Sequence, residues 1–214
     1  MKPLKAIDLI RDEIRNLPPY HLSPQETDIK LNQNENPFDW PSEIKEELLQ
    51  YARTRPWNRY PDFIPEKLTE VLAQYSGVNS NQIISGNGSN EMLLVLLLSL
   101  AKQSTKIITI QPTFTVYRLL SLGIGLEQVP IMMKPDLTFD MDAIERASIE
   151  NPEALLILCS PNNPTGLALT EKQIKSILAI HRGFVILDQA YIEFGGYNAI
   201  ALTEKYANLI ITRT

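Results

Sequence analysis

The chain has 214 residues, 44% hydrophobic and 21% charged, enough to bury a sizeable core in one large domain or one and a half. A net charge of −5 with no run of Lys and Arg excludes a basic nucleic-acid stripe. The longest apolar stretch, Met92 to Ala101, is about half of the roughly 20 residues a membrane span needs.

The single cysteine, Cys159, cannot close an internal disulfide and ends an apolar run, where a small buried thiol packs well. Acids at Asp8, Asp12 and Glu13 break the apolar character a secretion signal requires. The expectation is a cytoplasmic, reducing compartment and small-molecule partners.

The chain opens on a helix-like stretch, Ala6–Asn16, and a bend at Pro18-Pro19. A polar segment, Leu31–Pro37, and two amphipathic pieces, Ser42–Ala52 and Pro65–Ser76, follow. From Ile83 onward short β-branched runs alternate with segments of helical period. Strands are predicted over Ile83–Ser85, Lys106–Ile110, Leu126–Ile131, Ala154–Cys159, Phe184–Asp188 and Leu209–Thr212. Ser89, Thr113, Asp140 and Thr170 read as start signals for helices over Glu91–Ala101, Tyr117–Leu122, Ala143–Ala147 and Glu171–Ile180. Each strand therefore returns through a helix. A wholly apolar strand such as Leu155–Leu158 must be covered on both faces, which predicts a layered α/β fold with a central, mostly parallel sheet. The expected division is an N-terminal arm over 1–40, a helical part over 41–80 and a large domain over 81–214.

Ile83 to Glu91 runs from a strand through Gly86-Asn87-Gly88-Ser89 into an apolar helix. Such a helix start offers free N–H groups and a positive dipole end, which together bind phosphate. Glu91 stands where a Gly-x-Gly-x-x-Gly dinucleotide fingerprint needs its third glycine, and taken singly the turn is weak as a signal. Asp188 closes an apolar run at the strand end where open α/β sheets place ligands, although a lone aspartate there is more often a turn or cap. Asn162-Asn163-Pro164-Thr165-Gly166 forms a rigid loop after the strand Ala154–Cys159. Phe114 is placed to stack on a flat ring, though a lone aromatic at a helix start is more often core. His21 and His181 lack partners at metal-ligand spacing, so no metal and no histidine catalysis are assigned. Ser160 is not in a Gly-x-Ser-x-Gly elbow, which removes a hydrolase triad.

Pyridoxal 5'-phosphate works as an electron sink when a protein gives it a carboxylate for the pyridine nitrogen, donors for the phenolate oxygen and an amide cradle for the phosphate. Asp188, Tyr191 with Asn163, and the Gly86–Asn90 turn suit these three tasks. A lysine is also required, and none follows Lys205.

Taken in order, Asn34-Glu35-Asn36-Pro37, Arg59-Tyr60-Pro61-Asp62, Gly86-Asn87-Gly88-Ser89, Pro112-Thr113-Phe114, Pro161–Gly166 and Asp188-Gln189-Ala190-Tyr191-Ile192-Glu193-Phe194 resemble the histidinol-phosphate aminotransferases. These are fold-type I, class II enzymes that use pyridoxal 5'-phosphate. The resemblance implies a three-layer α/β/α large domain with an N-terminal arm and part of a small domain that takes part in dimer contact. It implies that Ser89 and Asn90 hold the cofactor phosphate, Phe114 stacks on the ring, Asn163 and Tyr191 bond the phenolate oxygen and Asp188 bonds the pyridine nitrogen. Tyr60 would reach into the neighbouring subunit's site in a homodimer, and Tyr20, Asn34 and Asn163 would touch substrate. The implied reaction moves an amino group between L-histidinol phosphate and 2-oxoglutarate, in histidine biosynthesis. Asn90 and Gln189 stand where the family usually has aspartate and glutamate, so tuning of the site is expected.

In the family, the strand equivalent to Leu209–Thr212 leads through Arg-Thr into a serine and the Schiff-base lysine; the sequence stops at Thr214 before that pair. No catalytic residue is therefore assigned. The expectation is an N-terminal portion, incomplete at the C-terminus, inactive as written and poorly soluble through an open sheet edge. Other readings are an aromatic amino acid aminotransferase, a threonine-phosphate decarboxylase-like enzyme, or a non-catalytic remnant that binds the cofactor or a partner.

Overall fold

The computed structural model describes residues 5–17, 29–102 and 105–214. Of these, the residues within Met1–Pro18 and Glu66–Thr214 form one compact unit and those within Pro19–Pro65 a second.

The smaller unit is built on helix α2, Ser42–Thr54. Its C-terminal end is closed by the Trp57 indole N–H, which donates to the Ala52 carbonyl at 2.8 Å, and by the Arg55 guanidinium lying 5.3 Å from the Tyr51 ring centroid. The Ala52 carbonyl of the last turn finds a partner in this way, and the Arg55 charge rests on an aromatic face.

The larger unit begins with a 3₁₀ turn, Ala6–Leu9, and a short helix, α1, Asp12–Arg15, so the helix expected over Ala6–Asn16 is broken. The break falls at Ile10, which is extended, and Arg11, the N-cap of α1, and no residue on either side is buried to hold a longer helix. Five strands follow: β1 Lys106–Gln111, β2 Glu127–Met132, β3 Leu155–Cys159, β4 Val185–Asp188 and β5 Leu209–Thr212. They pair in the order β2-β1-β3-β4-β5 with every ladder parallel. The connecting elements include α3 Glu66–Ser76, α4 Gly88–Leu100, α5 Val116–Gly123, α6 Met141–Glu150 and α7 Glu171–Ile180.

Strand periodicity sorts the core into two layers. Ile108, Leu156, Leu158, Val185 and Leu187 face Ile144 and Ala147 of α6 and Ile174, Ile177 and Leu178 of α7. Ile107, Leu155, Ile157, Cys159 and Ile186 face Leu93 and Leu97 of α4 and Tyr117 of α5. The result is the three-layer α/β/α arrangement, with β3 buried along its whole length. No described helix is long and apolar enough to cross a membrane.

Two start signals stand as expected: Asp140 accepts from the Ala143 N–H, and Thr170 forms a capping box with Gln173. Two do not. Helix α4 starts at Gly88 with Asn87 as its N-cap, and the Glu91 carboxylate reaches back to the Asn87 N–H, so Ser89 lies inside the first turn. Helix α5 starts at Val116, because the Thr113 hydroxyl is committed elsewhere. The segment Ile83–Ser85 is not a strand; no described strand pairs with it, and Ile84 is 82% exposed.

His181, which follows α7, is 2% exposed and sets Nε2 3.0 Å from the Ala154 carbonyl. Burial holds its pKa below the ordinary 6.5, against the weaker opposite pull of that carbonyl. The unfolded chain then binds more protons below about pH 6.5, so the contribution is full above that value and is lost as pH falls through the lowered folded-state pKa. Thermal midpoints of the wild type and His181→Gln, taken from pH 8 to 5, should keep a constant gap above pH 7, with the wild type losing ground below it. Parallel curves throughout would remove this assignment.

Candidate active site

Alternation along β4 turns Val185 and Leu187 to one face of the sheet and Ile186 and Asp188 to the other, where α4 and α5 pack. Asp188 is thereby carried into the core at the carboxyl end of its strand, 2% exposed. One carboxylate oxygen, Oδ2, accepts from the Tyr117 hydroxyl at 2.6 Å, and the other, Oδ1, accepts from the Ala190 N–H at 3.1 Å. Burial raises the Asp188 pKa above the usual carboxylate range, opposed by the Tyr117 hydroxyl, the Ala190 N–H and the nearby Thr212 hydroxyl. Thr212 lies in register with Asp188 on β5; its buried hydroxyl favours the carboxylate electrostatically yet makes no hydrogen bond of its own among the described residues. Cys159, in register on β3, has its thiol pushed up to about 11, chiefly by burial and then by the Asp188 charge, which keeps it an inert core thiol.

The loop after β3 is held from inside. The buried Asn162 side chain accepts from the Thr113 hydroxyl at 2.7 Å and donates to the Pro112 carbonyl at 3.0 Å and the Thr165 hydroxyl at 2.9 Å. Its backbone pairs with Leu167 and Gly166, and the Ser160 hydroxyl accepts from the Leu169 N–H. These bonds fix the neighbouring Asn163, whose amide donates to the Tyr191 hydroxyl at 3.3 Å. The pair expected at a single oxygen is thus brought together from two different loops.

The third part is the start of α4. Gly88 has φ of +77°, a conformation that disfavours any side chain, and it opens the first turn ahead of Ser89 and Asn90. A Cβ at Gly86 would lie 2.5 Å from the Met92 sulfur, so a side chain there would require Met92 to move. The Ser89 N–H lies 3.4 Å from the Thr214 hydroxyl, two residues beyond Thr212, so the helix start and the end of β5 meet. A cleft of about 530 Å³ lies beside this junction on the open side of β5, lined by Leu68, Leu72, Ile83, Met92, Ile211 and Thr214 among others; Asp188, Asn163 and Tyr191 are not part of its wall.

Six expected site residues, Ser89, Asn90, Phe114, Asn163, Asp188 and Tyr191, lie in the larger unit. Phe114 is half-buried and meets the Tyr117 ring edge-on, centroids 5.6 Å apart. Asn34 and Tyr60 belong to the smaller unit, and Tyr20 lies outside the described residues. Gln189 is fully buried with its amide directed to the 197–199 turn, donating to the Tyr197 carbonyl at 2.7 Å. The sequence reading missed Asn162 and Tyr117. The available signal for Tyr117 was a tyrosine on the apolar face of a short helix, whose hydroxyl must find a buried partner. Lys106 sits at the amino end of β1, opposite Asp188, and pairs with Glu127; Lys175 on α7 pairs with Glu171.

The carboxyl ends of the parallel strands, with a buried carboxylate, a rigid asparagine loop and a helix start, are where open α/β folds place small-molecule sites. The chain belongs to the aminotransferase class I and II family, whose model matches residues 26–214. Histidinol-phosphate aminotransferase of Chlorobium limicola is 40% identical over 210 residues, covering 97% of this chain and 59% of that protein. Its counterpart in Chlorobium chlorochromatii is 36% identical over 214 residues, covering 99% and 59%. A solved histidinol-phosphate aminotransferase from Sinorhizobium meliloti, in complex with pyridoxal-5'-phosphate, shares the fold with a TM-score of 0.83 at 20% identity, over 96% of this chain and 58% of that one. The chain therefore spans about 59% of the length of the curated relatives it matches.

The Asn162 network sets the stability of this corner. Asn162→Ala leaves the Thr113 hydroxyl and the Pro112 carbonyl without partners and should lower unfolding free energy by about 2–4 kcal/mol, against less than about 1 kcal/mol for the half-buried Asn163→Ala. Urea unfolding of both variants reads the difference. Equal losses would show that the loop is held by something other than Asn162.

Proposed function

We propose that this chain is the N-terminal portion of a histidinol-phosphate aminotransferase that binds pyridoxal 5'-phosphate. The carrying observation is the buried Asp188 carboxylate at the end of β4, with one oxygen on Tyr117 and the other on a backbone N–H. A desolvated carboxylate of this kind needs a cationic or N–H-bearing partner, and a protonated pyridine nitrogen supplies both. The glycine-opened start of α4 suits a phosphate for the same electrostatic reason.

In this reading Asp188 holds the proton on the ring nitrogen, Asn163 and Tyr191 hold the phenolic oxygen, and Phe114 covers a ring face. Ser89 and Asn90, with N–H groups of the first turn of α4, hold the phosphate. Bound there, the cofactor supplies the electron sink that amino-group transfer requires. Asn163, Asn34 and Tyr20 contact substrate, and Tyr60 serves the site of a second subunit in a homodimer. The amino group passes from L-histidinol phosphate to 2-oxoglutarate, giving imidazole acetol phosphate and glutamate, as a cytoplasmic step of histidine biosynthesis. Residues 1–40 act as an arm, 41–80 contribute to a small domain and the dimer contact, and 81–214 form the cofactor domain. The identities of 40% and 36% to histidinol-phosphate aminotransferases support this substrate over phenylalanine or threonine phosphate.

Equilibrium dialysis should show reversible uptake of pyridoxal 5'-phosphate by the chain, at least about tenfold weaker in Asp188→Ala, the equivalent of one charge-assisted bond. Turnover by the product of the source gene read in full should favour L-histidinol phosphate over phenylalanine and release no carbon dioxide from threonine phosphate. Preference for either alternative would overturn the substrate assignment.

A further inference from the structure

Tyr117 carries none of the tasks described so far, yet it is the most committed aromatic in the larger unit. It is 1% exposed on α5, and its hydroxyl crosses 71 residues of sequence to reach Asp188 Oδ2 at 2.6 Å. The same ring meets Phe114 edge-on, at an interplanar angle of 84°. A carboxylate has about four lone-pair sites. Tyr117 takes one on Oδ2 and the Ala190 N–H takes one on Oδ1, which fixes the plane of the group and leaves acceptor sites on both oxygens.

We propose that Tyr117 is a positioning residue: it orients the Asp188 carboxylate, and braces Phe114, for a ligand with a protonated heteroaromatic nitrogen. The inference rests on the cofactor reading above. Donation from an uncharged hydroxyl is stronger to a carboxylate than to a carboxylic acid, so the contact also favours the charged form of Asp188. The titratable groups that face Asp188 are Tyr117 from α5 and Cys159 from β3, with the uncharged Thr212 on β5. Burial raises both the phenol and the thiol, so Asp188 is the most acidic group of this cluster.

The test compares the wild-type chain with Tyr117→Phe, which keeps the ring and removes the donor. Equilibrium dialysis measures binding of pyridoxal 5'-phosphate and of its carbocyclic analogue, in which a C–H replaces the ring nitrogen. The ¹³C carboxyl resonance of Asp188, identified by its loss in Asp188→Asn, is titrated in parallel on the ligand-free protein. Tyr117→Phe is expected to bind the natural cofactor about tenfold more weakly, to bind the analogue as the wild type does, and to titrate Asp188 at higher pH. Equal losses for the two ligands with an unmoved titration would make Tyr117 a packing residue and overturn the proposal, as would unchanged affinity for the cofactor. Wild type that takes up neither ligand would remove the cofactor reading and the proposal with it. Wild-type binding without the selective loss would overturn the proposal alone.

Discussion

A carboxylate that cannot reach water governs the larger unit. Asp188 is placed by strand alternation on the face where α4 and α5 pack, and once there it requires donors that the apolar strands cannot give. Tyr117 and the Ala190 N–H meet part of that requirement, from a helix and from the turn beyond the strand. The position of α5, the depth of Tyr117 and the aim of Phe114 are all tied to one buried group. Replacing the pair by apolar residues of similar volume would satisfy the fold equally well, so its presence in the core points to chemistry.

Much of the architecture is local in origin and was legible for that reason. The runs around β1 to β5 lie within a residue or two of their expected limits because short, largely apolar runs between segments of helical period admit little else. Asp140 and Thr170 were recognisable because a cap bonds its own next turn. Ile83–Ser85 has strand-like composition, but a strand exists only through its partner, and composition carries no information about pairing. Thr113 looks like a cap in sequence and is instead tied to Asn162, 49 residues away.

The site divides in the same way. Asp188, Asn163, Tyr191 and the glycine turn could be named as candidates because strand ends, rigid proline loops and helix starts are positions with known uses. Tyr117 and Asn162 could not, because their importance lies in partners distant along the chain. Gln189 was expected to tune the site through its missing charge; its amide is occupied at the 197–199 turn, where it donates to a carbonyl that a glutamate could not serve.

The loops around Asp188 are stitched to one another by hydrogen bonds: Thr113 to Asn162, Asn162 to Thr165, Asn163 to Tyr191. These bonds brace the loops from within and against one another. A small molecule entering there would give up its own tumbling but ask little reorganisation of the walls, so capture would be governed by encounter, and discrimination between similar molecules would fall on how fast each one leaves.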